Sequence, residues 1–511
     1  MSTFAGLETA KRAMNTSQSA LYTTSHNIAN ANTPGYSRQQ VSMSTTTPFP
    51  TAGFNAPQIP GQIGTGVEAN AIIRIRDSFL DDQYRGEHNK LGYYQSQATA
   101  LEKMEEIMNE PSDSGLAATM DMFWKSLQDL AADPTNDGAK SVVRQRGIAV
   151  AETFNYLSTS IKNVQKDLQN EISVTEKQVN SLLNQINNLN QQISDVEPHG
   201  YVPNDLYDRR DNLLDELSGL VDISVSYQQN GGQPHPSAVG TAVVYLSNGE
   251  NSTRSAMLVG KNTVNEIKVN YNTDDLVSSV TVGAQTVSME DFESVGKLRG
   301  LVESYGYETS SNPVNGTYAN MLEELDYMAF TFANEFNAVH SSGATAAMIN
   351  GAPGPAPDFF AGEYGAAIAT QKDFASKIGI SNDIYQNLDN MATASTADLS
   401  MGNAENVTKL ANVITTAPAF GAYNTTFKNY YESIIGDMAV QAQEANRLTT
   451  NSDTLRGAVE NRRMSTSQVS LDEEMTNMVQ YQHAYNAAAR MISLTDELLD
   501  TIINGMGRAG R

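Results

Sequence analysis

The chain has 511 residues, 33 Lys and Arg against 58 Asp and Glu, and a net charge of −25. That balance argues against nucleic acid or an anionic membrane surface as partners, because both reward clustered positive charge. The absence of cysteine excludes disulfides, thiol catalysis, iron–sulfur clusters and cysteine zinc sites.

No segment approaches the roughly 20 apolar residues that a membrane-spanning helix needs. The start, Met1 to Glu8, lacks the basic region and apolar run of a secretory signal. We expect the protein either to stay inside or to leave by a route that uses no such signal.

At the N-terminal end, Leu7, Met14, Leu21 and Ile28 stand seven residues apart, with Ala10, Ser17, Thr24 and Ala31 three residues after each. This a/d pattern predicts a helix with small residues in one seam position. Pro34 disfavours helix at Thr33 and, with Gly35, suits the centre of a type II turn, so the helix should end near Asn32.

Residues 61–67, Gly61-Gln62-Ile63-Gly64-Thr65-Gly66-Val67, do not have the spacing of a nucleotide-binding loop and read as a structural turn before an alternating run to Arg76. Residues 86–132 and 140–218 read as helix. Ile161, Val164, Leu168, Ile172, Thr175, Val179, Leu182, Ile186, Leu189, Ile193 and Val196 mark a buried line, with Asn and Gln on the outer faces and breaks at Pro198 and Pro203. The helix from Asp205 to Leu217 alternates Asp and Arg, read as solvated surface pairs.

From Val221 the apolar period changes to two, with turns at Gly231-Gly232, Asn248-Gly249 and Asn272 to Asp275, so a β-rich insert of about 70 residues is expected. Helix returns from Tyr318 to His340. Residues 341–400 are loop-rich, and helices resume near Asn403 and through 426–464.

The C-terminal end mirrors the start. Leu471, Met478, Tyr485, Ile492 and Leu499 stand seven apart, beside Tyr481, Ala488, Thr495 and Ile502, with Ser470 as N-cap and Gly505 and Gly507 as stops. Lys11, Arg12 and Arg38 outweigh Glu8 at one end, and six acids outweigh three arginines at the other. Each terminal helix needs a partner to bury its seam, and the other is the obvious one.

The fold class read from these periods is mainly α with an inserted β-rich domain, paired N- and C-terminal coiled-coil-like helices, an elongated helical body and nested, discontinuous domains. The boundaries expected are 1–40 and 470–511 for the terminal helical domain; 41–220, 301–340 and 401–469 for the helical body; 221–300 for the insert; and 341–400 for a loop-rich segment packing with the insert.

The six histidines His26, His88, His199, His235, His340 and His483 form no HExxH motif or i, i+4 pair. His340 ends a helix, where a histidine suits the dipole. There is no G-x-S-x-G elbow and no EF-hand loop. No catalytic, metal or cofactor site is expected, and no cofactor.

The run Ser25-His26-Asn27-Ile28-Ala29-Asn30-Ala31-Asn32-Thr33-Pro34-Gly35-Tyr36-Ser37-Arg38-Gln39 resembles the shared signature of the bacterial flagellar axial proteins, the rod, hook and hook-associated subunits. Further segments resemble the hook-associated branch of that family. They are 61–67 with Arg74, Asp77, Phe79-Leu80 and Gln83; Asp205 to Ser218; Leu325 to Ala329 with Phe336 to His340; Phe359-Phe360; and the C-terminal blocks Leu471 to Met475, Tyr481 to Tyr485 and Ala487 to Arg490.

The resemblance implies a structural junction subunit between flagellar hook and filament, extracellular and exported without a cleaved signal peptide. It implies assembly as a helical layer through the terminal helices. Implied partners are the hook protein, a second hook-associated junction protein, the filament cap during assembly, a cytoplasmic export chaperone on the C-terminal region, and further copies of the chain in a helical ring. It implies no nucleic acid and no membrane partner.

The expected assembly residues are Leu7, Met14, Leu21, Ile28, Met478, Tyr485, Ile492 and Leu499. The axial turn is Asn30, Asn32, Pro34, Gly35 and Tyr36. The competing readings are another axial subunit (hook or distal rod) and a secreted enzyme or adhesin acting through residues 222–400.

Overall fold

The structure, a computed structural model, describes residues 4–51, 53, 61–108, 115–247, 256–368, 370–415, 419–420 and 423–505. The Asn248-Gly249 turn and the Gly507 stop lie outside these residues.

Helix α1 spans Phe4–Ala29 and buries a face of small residues, including Ala10, Ser17, Ala20 and Thr24. It ends three residues before the expected Asn32. Strands β1 (Gln39–Thr45) and β2 (Val67–Arg74) form an antiparallel hairpin, from Gln39 opposite Arg74 to Thr45 opposite Val67, with a register shift at Ser42/Met43. The hairpin lies on α1, where the Thr16 hydroxyl donates to the Val67 carbonyl at 3.3 Å.

Helices α2 (Ser78–Met108), α3 (Leu116–Ala132) and α4 (Asp137–Val196) follow. Helix α4 is 60 residues long, about 90 Å at 1.5 Å per residue. Asn136 caps it by accepting from the Gly138 and Ala139 amides. It gives way to a 3-10 turn at Glu197–His199 holding Pro198, closed by left-handed Gly200 at φ +84°. Helix α5 spans Asn204–Leu220.

The insert holds two three-stranded antiparallel sheets. One is β3 (Ile223–Gln228), β4 (Thr241–Leu246) and β5 (Met257–Val259). The other is β6 (Ile267–Tyr271), β7 (Val277–Val282) and β8 (Gln285–Ser288). Both sheets meet α4 through asparagines. Asn180 accepts from the Ile267 amide and donates to its carbonyl, each at 2.8 Å. Asn190 does the same for Ala242 at 3.0 and 2.8 Å. The expectation that Asn and Gln fill the outer face of α4 fails at these positions. A sheet margin carries unpaired amides and carbonyls, and a carboxamide supplies both a donor and an acceptor.

Helices α6 (Lys297–Tyr305) and α7 (Thr317–Ser341) return to the body. The loop-rich segment contributes short α8 (Ala346–Ile349) and α9 (Asn382–Gln386), with two-residue strand pairs Gly343–Ala344 with Ala394–Ser395 and Phe360–Ala361 with Gly379–Ile380. Its anchor is a phenylalanine cluster in which Phe123 meets Phe332, Phe336, Phe359 and Phe360 at centroid distances of 5.4–6.4 Å. At its edge His340 is fully buried. Its Nδ1 donates to the Pro357 carbonyl at 2.7 Å and its Nε2 accepts from the Ala392 amide at 3.0 Å. Burial pulls its pKa down to about 4. This histidine is a neutral core clasp, which replaces the expected dipole role.

Helix α10 spans Glu405–Thr415, α11 Phe427–Ser467 and α12 Leu471–Asp500, followed by a π-turn at Thr501–Gly505. Helix α11 runs antiparallel along α2, with Arg463 near its end reaching Asp81 near the start of α2. The last helix leaves the body and packs along α1. The fold is therefore mainly helical, with a β-bearing insert and paired terminal helices. Among the described residues no helix is long and apolar enough to cross a membrane.

Candidate assembly interface: the terminal rod and its elbow

Helices α1 and α12 form an antiparallel two-helix rod. Asn27, near the end of α1, donates to Glu474, near the start of α12, at 3.1 Å, and the helices run side by side away from that point. Leu7, Met14, Leu21 and Ile28 are half-buried, with Ala10, Ser17 and Thr24 buried between them. Met478, Tyr485, Ile492 and Leu499 are half-buried, with Ala488 buried. Small residues on α1 admit the larger side chains of α12, a close-packed seam of the heptad kind.

A second row on α12 stays uncovered. Ala484, Ala487, Met491, Leu494 and Leu498 repeat at three- and four-residue steps. Met491, Leu494 and Leu498 are 52%, 51% and 56% exposed. This stripe has the same seven-residue period as the seam and faces away from α1.

The axial turn anchors the rod. The Tyr36 amide donates to the Thr33 carbonyl at 3.2 Å, closing a turn around Pro34 and Gly35. Gly35 sits at φ +73°, and a Cβ there would lie 1.9 Å from the Asn212 Oδ1 of α5. Only glycine fits both the conformation and the contact. Asn30 donates to the His26 carbonyl at 3.0 Å, and Asn32 is exposed. The Tyr36 hydroxyl donates to Asn27 Oδ1 and lies 2.9 Å from His26 Nδ1. Burial, then Asp205, Asp208 and Glu474, raise its pKa, so it remains a neutral donor.

Below the turn lies a buried ion network. Asp208, Asp211 and Asp215 lie at i, i+3 and i+7 on one face of α5, and all three are buried. Arg74 donates to Asp208 and Asp211, each at 2.8 Å. Arg76 grips Asp81 with two nitrogens at 2.6 and 3.0 Å and reaches Asp211 at 3.2 Å. Arg85 meets Asp215 at 2.8 Å, and Arg463 meets it from α11 at 2.5 Å.

Burial opposes ionisation of Asp211, but Arg76, Arg74, Arg210 and Arg85 hold it well below the usual carboxylate range. Burial pushes Asp208 up against the pull of Arg74. The solvated pairs expected on this helix are thus corrected. Asp208, Asp211 and Asp215 are core groups, because arginines from the hairpin, the link after it, α2 and α11 converge on them.

The same elbow receives α12. Glu474 is 2% exposed and accepts from Arg38 Nε at 2.7 Å, while Arg38 also meets Glu473 at 2.8 Å. The Arg38 amide donates to the Ser467 carbonyl at 2.8 Å, where α11 ends. Arg38, Arg76, Arg463, Glu474 and the α5 acids were not singled out from sequence as site residues. The i, i+3, i+7 spacing of Asp208, Asp211 and Asp215 was the signal available.

A family model described as the flagellar hook-associated protein FlgK helical domain matches residues 101–360. Flagellar hook-associated protein 1 of Bacillus subtilis is 48% identical over 512 residues, covering all of both chains. The chain belongs to the flagellar hook-associated protein 1 family. Flagellar hook-associated protein 1 of Salmonella typhimurium is 24% identical over 97% of this chain and 98% of its own.

Two further family models fall on the rod and elbow. One, of flagella basal body rod proteins, matches residues 7–36. The other, the C-terminal region of the FlgEFG basal body rod proteins, matches residues 460–505. The solved structure of the flagellar hook junction protein FlgK from Burkholderia pseudomallei shares the fold, with a TM-score of 0.60 at 13% identity over 76% of this chain and all of that one. Membership in the flagellar hook-associated protein 1 family makes the chain a structural component of the flagellum that works among other axial components, and not an enzyme.

Proposed function

We propose that this protein forms a helical junction layer between hook and filament, with its terminal rod as the assembling element. Full-length likeness to flagellar hook-associated protein 1 supports the place in the flagellum. The uncovered stripe Ala484, Ala487, Met491, Leu494 and Leu498 supports the mode of assembly. An apolar row at heptad spacing on a helix whose other seam is already filled is a surface for another helix.

In this reading Leu7, Met14, Leu21, Ile28, Met478, Tyr485, Ile492 and Leu499 build the rod, and the second stripe joins one copy to another. The turn at Asn30, Asn32, Pro34, Gly35 and Tyr36 sets the angle between rod and body. The terminal rod, the helical body and the insert act as separate units of one nested chain. The partners are the hook protein below, a second hook-associated junction protein above, the filament cap during assembly, and a cytoplasmic chaperone that holds the C-terminal region before export without a cleaved signal peptide.

The test is co-sedimentation of the full chain with isolated hooks, beside Ala487→Asp combined with Met491→Asp. Both positions are exposed, so the variant should keep its fold and lose saturable binding to hook ends. Equal pelleting of the two proteins would overturn the reading. In the free chain, amides of α12 beyond the elbow should exchange fast and become protected on the hook.

A further inference from the structure

The outer side of the elbow carries two concavities, of about 460 and 160 Å³, that share Asp205 and Arg209 and so form one groove across the first turns of α5. The larger half is lined by Ile72, Val202, Pro203 and Leu206 together with polar Gln39 and Asn204. The smaller half is formed by the axial turn. Asp205 is engaged, accepting from Gln39 at 2.9 Å with His26 at 3.9 Å. Arg209 is exposed and, among the described residues, makes no hydrogen bond or ion pair. Arg74, Arg76, Arg85 and Arg463 of the nearby network are each paired with acids.

The far end of the rod presents the complementary chemistry. Glu497 is exposed, makes no ion pair among the described residues, and lies three residues after Leu494 and beside Leu498. Counting the antiparallel helices out from the Asn27–Glu474 bond brings Phe4 level with Glu497. Leu498 therefore begins a stretch of α12 and its π-turn that runs past the first described residue of α1.

Leu498 is 24 residues beyond Glu474 on one helix, about 36 Å along its axis. A rod of this stiffness cannot fold back onto its own elbow. The unpaired Arg209 of the groove and the unpaired Glu497 of the rod end are opposite in charge, each has apolar side chains beside it, and only a second copy can bring the two together.

We propose that the last turns of α12 of one copy dock in the elbow groove of the next, with Leu494 and Leu498 against Ile72, Val202, Pro203 and Leu206 and Glu497 pairing with Arg209. The contact joins unlike surfaces, so it repeats head to tail and produces a helical array. It deepens, and rests on, the reading that copies assemble through the terminal rod. The groove has room for a few side chains and not for a whole helix, which matches a helix end laying two leucines and a carboxylate across it.

The absence of native cysteine makes the test clean. Two differently tagged full-length chains, Leu206→Cys and Leu498→Cys, are assembled together on isolated hooks and oxidised. A disulfide-linked dimer carrying both tags is expected, and a Leu206→Cys with Val440→Cys pairing should give none. Adding Arg209→Glu to the first chain should cut the dimer yield about tenfold, and Glu497→Arg on the second should restore it.

No mixed dimer from variants that still pellet with hooks overturns the docking and leaves rod-mediated assembly standing. So does a yield that ignores the charge reversal, or an elbow occupied by another axial protein. An unaltered chain that does not join hooks overturns both.

Discussion

Asp211→Asn keeps the shape of the side chain and removes its charge from the centre of the elbow network. The Asp211 side chain is 4% exposed, with Arg74 at 2.8 Å, Arg76 at 3.2 Å and Arg85 at 4.0 Å. Removing one partner of a buried ion pair leaves an uncompensated charge and costs about 3–5 kcal/mol. Here the surviving cations are partly matched by Asp81, Asp208 and Asp215, so the lower part of that range, about 3 kcal/mol, is expected. Native-state hydrogen exchange should show hairpin and α5 amides speeding up by about two orders of magnitude, while α3 and the phenylalanine cluster keep their protection. A matched change at the exposed pair of Arg456 and Asp453 (2.8 Å, half-exposed side chains), Asp453→Asn, should cost under about 0.5 kcal/mol.

The pH dependence carries a sign. The folded pKa of Asp211 lies below its ordinary 3.8, so its stabilisation is present above that value and is lost as pH falls below it. The gap between native chain and variant should close in acid. Asp208, whose pKa is raised by burial, contributes the opposite sign. A loss under about 1 kcal/mol at neutral pH, or a gap that widens in acid, would refute the account of the elbow as a charge-locked joint.

Gly35→Ala forces a Cβ into the Asn212 side chain at a φ of +73°. It should cost roughly 1–3 kcal/mol of backbone strain plus the displacement of Asn212, read as faster exchange at the elbow and weaker pelleting with hooks. Phe123→Ala empties a fully buried site that touches four rings. It should destabilise the body by about 3–5 kcal/mol in urea unfolding and leave exchange in the rod unchanged. His340, held at about 4 against an ordinary 6.5, binds its proton more readily when unfolded. Its clasp is therefore complete above pH 6.5 and weakens as pH falls toward 4, by about 2 kcal/mol at pH 5. Protease cleavage within residues 343–404 should rise at pH 5 relative to pH 7.5, and His340→Gln should flatten that dependence.

The sequence showed what periodicity can show. Heptads located both terminal helices, the Pro34-Gly35 pair located the turn, and the 3/4 spacing from Ile161 to Val196 located the buried line of α4, where Ile161, Leu168, Ile172, Val179, Leu182, Ile186 and Ile193 are all in the core. Periodicity failed where a polar side chain faces inward. The arginine partners of the α5 acids lie 130 or more positions away in the chain, so nothing local distinguishes Asp211 from a surface acid. Asn180 and Asn190 read as solvent-facing because the sheet edges that need them come later in the chain. The second stripe of α12 shares its period with the first, and period alone cannot tell which row the chain fills itself.

The chemistry of the elbow bears on what a junction subunit needs. Helices α11 and α12 are separated by the short break at Gln468–Ser470, and the rod could swing about it. Apolar packing between helices tolerates a range of crossing angles. A network in which Arg76 grips Asp81 with two nitrogens, Arg74 bridges two aspartates, and Glu474 joins Arg38 to Asn27 is satisfied at one geometry. Buried ion pairs return little net stability for their desolvation, so the gain lies in direction. In a head-to-tail array every copy repeats the same angle, and an angular error at one elbow is carried into every later position. A joint built from directional, largely buried charge pairs holds that angle, and the aromatic core that supplies stability sits elsewhere, in the body, where it can be altered without turning the rod.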